Sequence, residues 1–354
     1  MRVQVRAAAL SNYAEVARPL GLDPSRMLRE MGLSARVLSE PDIRVSAAKV
    51  VRLLEASAEK SGCMTFGLRM AELRRLSDLG ALSLLLTYQP TMRDILSLIV
   101  RYRDLLNEAL AINVDDSGHF AIVREELLTE HTPLARQSHE LAVDTIFHLC
   151  RVVLGPSWQS YRINFTHAPP PDRGTHRRLF GPKVEFEAEF NGMVCTAAYL
   201  DQPNPAAEPV MARYAQQFVE SLPKTQPGST ALDVRKSIYM LLPLGKASSE
   251  HITQMLGFNL RTLQRRLEEE KTSLSELVNG VRHDLAVRYL SDHGHQLTQI
   301  AEMLGYAQLS SFIRWFIGEF GVSPLRWRTQ RKAQLDRLRR RPIERRAPRA
   351  WLMP

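Results

Sequence analysis

The chain reads as two domains of different class. An α+β domain over 1–205, a small sheet covered by helices, precedes an all-α domain over 232–330 made of two helix-turn-helix modules. Three observations predict this. Strand alternation is confined to the first two hundred residues. The last third writes nearly the same helical segment twice, "ITQMLGFNLRTLQRRLEEE" at 252–270 and "IAEMLGYAQLSSFIRWFIGEF" at 300–320. That third also carries the whole net charge of +9, because residues 1–229 balance 26 Lys+Arg against 26 Asp+Glu while 230–354 hold 21 against 12. Such asymmetry predicts a polyanion-binding end and a neutral end with another task.

Length and composition agree with two soluble domains, each with its own core: 354 residues, 44% hydrophobic and 24% charged. No apolar run approaches the roughly 20 residues of a membrane-spanning helix. The apolar patch after Met1 is four residues, too short for a signal peptide, so cytoplasmic residence is expected. Cys63, Cys150 and Cys195 are far apart and odd in number, which suggests neither a disulfide framework nor a metal site.

Helical periodicity predicts helices in "SAAKVVRLLEASAEK", with Val50, Leu53, Leu54 and Ala58 on one stripe, in "TMRDILSLIVRYRDLL" and in "HELAVDTIFHLCRVVL". Arg101, Tyr102 and Arg103 offer contacts to an anionic effector, but read better as solvated helix residues. Alternation predicts a strand in "SYRINFTH", where Tyr161, Ile163 and Phe165 share a face, and another in "VEFEAEF", where Val184, Phe186, Ala188 and Phe190 alternate with glutamates. Residues 206–231 form a helix and linker. The helix, within 207–222, places Val210, Tyr214, Phe218 and Leu222 on a stripe that is either a homodimer seam or core against its own domain. "PKTQPGST" is the flexible linker, and 331–354 is a basic, disordered tail.

In the first copy of the repeat, Ser248 or Ser249 caps a helix whose buried side has Ile252, Met255 and Leu256. Gly257 stops it in a left-handed turn. The second helix packs Leu260, Leu263 and Leu267 inward and turns Arg261, Gln264 and Arg265 outward, with Thr262 and Arg266 on the flanks. Arg pairs with guanine and Gln with adenine in the major groove, so these residue types suit base reading. In the second copy Ile300, Met303, Leu304 and Gly305 repeat the pattern, and Phe312, Phe316 and Arg314 take the places of Leu263, Leu267 and Arg265. Leu309 and Ile313 stand where Arg261 and Gln264 stood, which predicts thymine-methyl contact and phosphate anchoring there rather than hydrogen-bonded readout. Between the copies, Ser273 and Glu276 form a capping box for one linking helix that holds two reading heads about one DNA turn, 34 Å, apart.

At "RTLQRRL", "IAEMLGYAQLSSFIRWFIGEFGVSPLRWR" and its closing "GVSPLRWR", the chain resembles the AraC/XylS family of bacterial transcription regulators over about 232–330. The first two hundred residues resemble the arabinose-binding-type effector domain of one branch, through "GLDPSRMLREMGLSARVL", "FGLRM", "LGPSW", "THAPP" and "LFGPKVEFEAEFNGMV". The resemblance implies base or backbone contact from Asn259, Arg261, Thr262, Gln264 and Arg265 in the first module. In the second it implies contact from Gln308, Leu309, Ser310, Ser311, Ile313 and Arg314, and it makes Ser323 the cap of a last helix entered at Pro324.

The function expected is a sequence-specific regulator that binds double-stranded DNA, more often an activator than a repressor, acting with RNA polymerase and modulated by a small-molecule effector in the N-terminal domain. The alternatives are an effector-independent architectural DNA binder and an enzyme domain fused to a DNA-binding one, which needs a catalytic constellation that the sequence does not offer. Enzyme classes are not expected. "HELAVD" has Val143 where a zinc-protease motif needs its second histidine, His293 and His295 read as a helix-end loop, and no phosphate loop, dinucleotide fingerprint or nucleophile elbow occurs. No cofactor or metal is implied, and the sequence singles out no effector-binding residue.

Overall fold

The computed structural model describes residues 3–116, 118–129, 135–222, 229–291 and 294–339, the last eight as backbone alone. Most of the expected linker, His293 and the tail beyond 339 lie outside these residues. Up to residue 339 the expected tail continues the helix Pro324–Arg339.

Seven strands are present among the described residues. β1 (Gln4–Arg6) and β2 (Arg44–Ser46) form an antiparallel pair. β3 (Leu110–Asp115), β4 (Phe120–Leu127), β5 (Arg162–Asn164), β6 (Val184–Glu185) and β7 (Asn191–Thr196) form a sheet in the order β3-β4-β7-β5-β6. Its pairs are antiparallel except β5 with β6. The two strands expected from alternation are the short ones. β5 buries Ile163 and, just beyond it, Phe165, but Tyr161 is 47% exposed and does not share their face. The alternation of "VEFEAEF" stops after two residues because Glu187 takes φ +55°, a left-handed conformation that no strand continues through. The sheet's long hairpin, β3–β4, carries charged residues on both faces and shows no clean alternation.

The helices follow their apolar stripes. Ala47–Ser61 buries Val50, Leu53, Leu54 and Ala58 and ends at Gly62 with φ +69°. Phe66–Glu72 crosses Arg136–Leu154 so closely that a Cβ on Gly67 would lie 2.0 Å from the Gln137 carbonyl oxygen, and the Gln137 amide oxygen accepts from the Gly67 N–H at 2.8 Å. This contact accounts for the glycine in "FGLRM". The helix Pro209–Ser221 corrects one expectation: it turns Ala215 and Val219 inward, and Val210, Tyr214 and Phe218 are about half exposed rather than core.

Three cores result. One, around Leu10, Tyr13, Leu53 and Phe66, underlies the N-terminal helices; the second, around Ile95, Val123, Phe147 and Phe165, lies between the large sheet and the helices Met92–Leu106 and Arg136–Leu154. The third, around Ile238, Leu263, Leu285, Ile300, Phe312 and Phe316, holds the C-terminal helices together. Each fully buried side chain of this size contributes about 1.5–3 kcal/mol.

Candidate nucleic-acid interface

The first module is the helix Ser249–Leu256, a turn, and the helix Leu260–Glu269. Ser248 caps the first helix by accepting from the His251 N–H at 3.2 Å. Gly257 closes it at φ +68°, a conformation that costs any residue with a Cβ about 1 kcal/mol. Ile252, Leu263 and Leu267 are buried, whereas Met255 and Leu260, both expected inside, are over 40% exposed. They lie at the end and the start of their helices, where the core no longer covers them. Arg261, Gln264 and Arg265 point to solvent, and Thr262 is half-buried. The Arg265 guanidinium donates to Glu269 at 2.5 Å across one exposed helical turn, a pairing that a phosphate or base edge displaces readily. Asn259 acts first as a cap, its side-chain oxygen accepting from the Thr262 N–H at 2.8 Å. Arg266 lies over the Phe258 ring at 4.4 Å, which fixes it on the flank.

The second module, Leu297–Met303 and Leu309–Phe320, turns at Gly305 with φ +75°. Gln308 stands at the N-cap without capping through its side chain. Ser310, Ser311 and Arg314 are exposed. Leu309 and Ile313 are half-buried and pack on the core, so they divide their surface between the module's interior and its outer face. The interior is aromatic: Phe316 stacks on Phe320 at 4.1 Å and meets Trp327 edge-on at 6.3 Å. Trp327 comes from the helix Pro324–Arg339, whose first turn Ser323 holds by accepting from the Arg326 N–H at 3.4 Å. "GVSPLRWR" therefore braces the helix Leu309–Phe320 from behind.

The linking helix is Leu274–Ser291, and its capping box forms: Glu276 accepts from the Ser273 N–H at 2.8 Å, and Ser273 from the Glu276 N–H at 3.2 Å. Glu270, at the end of the first reading helix, accepts from the N–H groups of Thr230 and Ala231 at 2.7 and 3.2 Å. It thereby caps the helix Thr230–Leu241 and ties the start of this region to its first module.

Sequence reasoning missed the joint between the two halves. Arg288 on the linking helix donates to Glu126 of β4 at 2.6 Å. Lys236, almost fully buried, donates to Asp104 at 2.7 Å, and Arg103 to Asp233 at 3.3 Å. Arg103 is thus an interdomain partner, not the solvated residue expected. Burial pulls the Arg288 pKa down, but Glu126 overcomes it and holds the guanidinium above its ordinary value. His139, buried beside them, bonds Glu125 at 2.7 Å. No spacing in the sequence links residues 162 positions apart, such as Glu126 and Arg288.

The family model for the N-terminal arabinose-binding domain of AraC transcription regulators matches residues 21–204, and a helix-turn-helix domain model matches 252–330. The chain is 31% identical over 326 residues to the HTH-type transcriptional regulator VirS of Mycobacterium tuberculosis, covering 92% of this chain and 96% of that one. The chain belongs to the AraC family of transcription regulators. An ornithine utilization regulator of Pseudomonas aeruginosa is 25% identical, across 89% of this chain and 95% of its own. The crystal structure of the transcriptional regulator CdpR from the same species aligns with a TM-score of 0.42 at 22% identity, over 88% of this chain and 97% of that one.

As an AraC-family member the protein is a transcription regulator with a helix-turn-helix domain that binds double-stranded DNA, and its relatives are regulators, not enzymes. No helix among the described residues is long and apolar enough to cross a membrane.

Proposed function

We propose that this AraC-family regulator chooses its DNA sites chiefly through the helix Leu260–Glu269. Arg261, Gln264 and Arg265 face the major groove in this reading, and Asn259 and Thr262 hold the backbone at the helix entry. The observation that carries it is the contrast between the two reading helices. At the matched positions the first presents Arg261, Gln264 and Arg265 to solvent, and the second presents Ser310, Ser311 and Arg314 beside the half-buried Leu309 and Ile313. The second module, with Gln308 at its entry, then serves mainly as a phosphate anchor with apolar contact to thymine methyls. The linking helix has 18 residues and spans about 27 Å, the right order for two heads in successive major grooves.

A small molecule in the N-terminal domain modulates binding, and the output is activation through RNA polymerase; the family resemblance suggests both. The exposed stripe Val210, Tyr214 and Phe218 is the seam of a homodimer, since its helix already satisfies its own core through Ala215 and Val219. Phe218→Glu is expected to shift sedimentation from dimer to monomer; an unchanged profile removes the seam.

Selection of duplexes from a random pool, followed by footprinting, tests the DNA reading. Two protected segments about one helical turn apart support it. Enrichment of nothing, with binding lost at moderate salt, would instead describe an architectural binder.

A further inference from the structure

Between the first and second cores lies a cavity of about 130 Å³. Its walls come from both cores, with Val50, Leu54 and Leu141 on one side and Ile99, Ile112 and Ile146 on the other. All its apolar lining is aliphatic, and no aromatic ring faces it. Apolar cavities of this order take up molecules the size of benzene. Six polar residues interrupt the apolar wall, Arg6, Arg74, Asp78, Asn107, Ser138 and Thr145, and two of them carry a buried group without a partner. Ser138 is 7% exposed and its hydroxyl has no hydrogen-bond partner. The Arg74 guanidinium donates through Nη2 to the Ala8 and Ala9 carbonyls at 3.2 and 2.6 Å, yet its Nε–H is buried without an acceptor. A buried orphan donor costs about 1–3 kcal/mol, so these two groups mark where a ligand's acceptor completes the site.

We infer that this cavity is the effector site and that it takes a small aliphatic monocarboxylate, with its chain in the seam and its carboxylate toward Arg74 and Ser138. The inference rests on the effector reading above and names its ligand class. A sugar fits less well. Each hydroxyl of a pentose needs a partner on burial, and an unpartnered one costs at least about 1–3 kcal/mol, whereas Arg6, Asp78, Asn107 and Thr145 each already hold a bond within the protein. The carboxylate, by contrast, accepts from the two donors that lack partners.

The cavity's position supplies a route to the DNA-binding region. The helix Met92–Leu106 gives Ile99 and Leu106 to its wall and, between them in sequence, Arg103 and Asp104 to the ion pairs with the helix Thr230–Leu241. β4 likewise gives Leu127 to the wall and the adjacent Glu126 to Arg288. A chain inserted in the seam therefore pushes on the two elements that hold the DNA-binding region in place.

Isothermal titration of the full-length chain with octanoate, octan-1-ol and L-arabinose tests this. The expected result is binding of octanoate and none of arabinose. Ala142→Leu, which fills the cavity, should weaken octanoate at least about tenfold, with thermal unfolding showing the variant folded. Ser138→Ala should weaken octanoate by about threefold to tenfold and leave octan-1-ol unchanged, and it serves alone if Ala142→Leu does not fold. Absent octanoate binding, equal affinity in wild type and both variants, or preference for arabinose overturns the inference. DNA-binding anisotropy on the same samples separates the two claims: octanoate bound at this site with unchanged DNA affinity leaves the ligand class standing and removes the modulation.

Discussion

Arg265 is the residue on which the DNA reading turns. Its exposed pairing with Glu269 holds the guanidinium extended without burying it, so little is lost when it turns to a base. Arg265→Ala is expected to cost about 1–3 kcal/mol on the selected site and to relax specificity at one position, measured by anisotropy on matched and mismatched duplexes. An equal loss on every sequence would make Arg265 a phosphate contact. A second prediction concerns stability. Asp144 is 4% exposed, and burial, reinforced by Glu72, holds its carboxyl up at about 7 against an ordinary 3.8. A folded pKa raised this way contributes its full stability below 3.8 and loses it as pH rises through 7, because the unfolded chain ionises first. Asp144→Asn should leave the thermal midpoint unchanged at pH 4 and raise it at pH 8 by the equivalent of about 1–3 kcal/mol. A shift of the same size at both pH values would assign the effect to packing instead.

At the scale of elements, the helices were legible because each has a stripe and a stop. Ile252 ahead of the stop at Gly257, and Leu263 and Leu267 opposite Arg261 and Arg265 in the next helix, leave one arrangement in which the apolar side is covered. The sheet was poorly legible for a physical reason. β7 is buried along most of its length and shows no alternation to read, and β4 buries Glu125 beside His139, so an acid stands where the pattern demands an apolar residue. Within the candidate interface the outward polar residues were readable, but capping by Asn259 and the half-burial of Leu309 and Ile313 depend on how tightly the core closes behind them. The crossing at Gly67 was equally invisible, since a glycine inside a helix announces no neighbour. Gly67→Ala is expected to destabilise the N-terminal domain by about 2 kcal/mol or more, because its methyl meets backbone rather than a side chain that can yield. Denaturant midpoints would measure it, and a neutral result would mean that the two helices separate freely.

For the molecule as a whole, the decisive feature is that charge pairs lock the two halves together beside an apolar contact. Lys236 reaches Asp104, Arg103 reaches Asp233 and Arg288 reaches Glu126, while Leu232 of the helix Thr230–Leu241 packs on the N-terminal core. A joint of this kind is specific when closed and unfavourable when half-made, because an ion left alone at a partly buried site has lost water without gaining a partner. Under the effector control proposed above, such a joint suits a regulator whose DNA-binding region is held in one place and released in another state. Removing Glu126 alone therefore tests more than one contact. Glu126→Ala is expected to weaken docking by about 1–3 kcal/mol, seen as faster amide exchange in β4 and in the helix Leu274–Ser291 while the reading helices keep their protection. Arg288→Ala should do the same. The double variant should cost less than the sum of the two, since neither orphaned charge remains. Strict additivity would show that Glu126 and Arg288 do not hold the joint, and the ion pairs at Lys236 and Arg103 would then have to account for the docking.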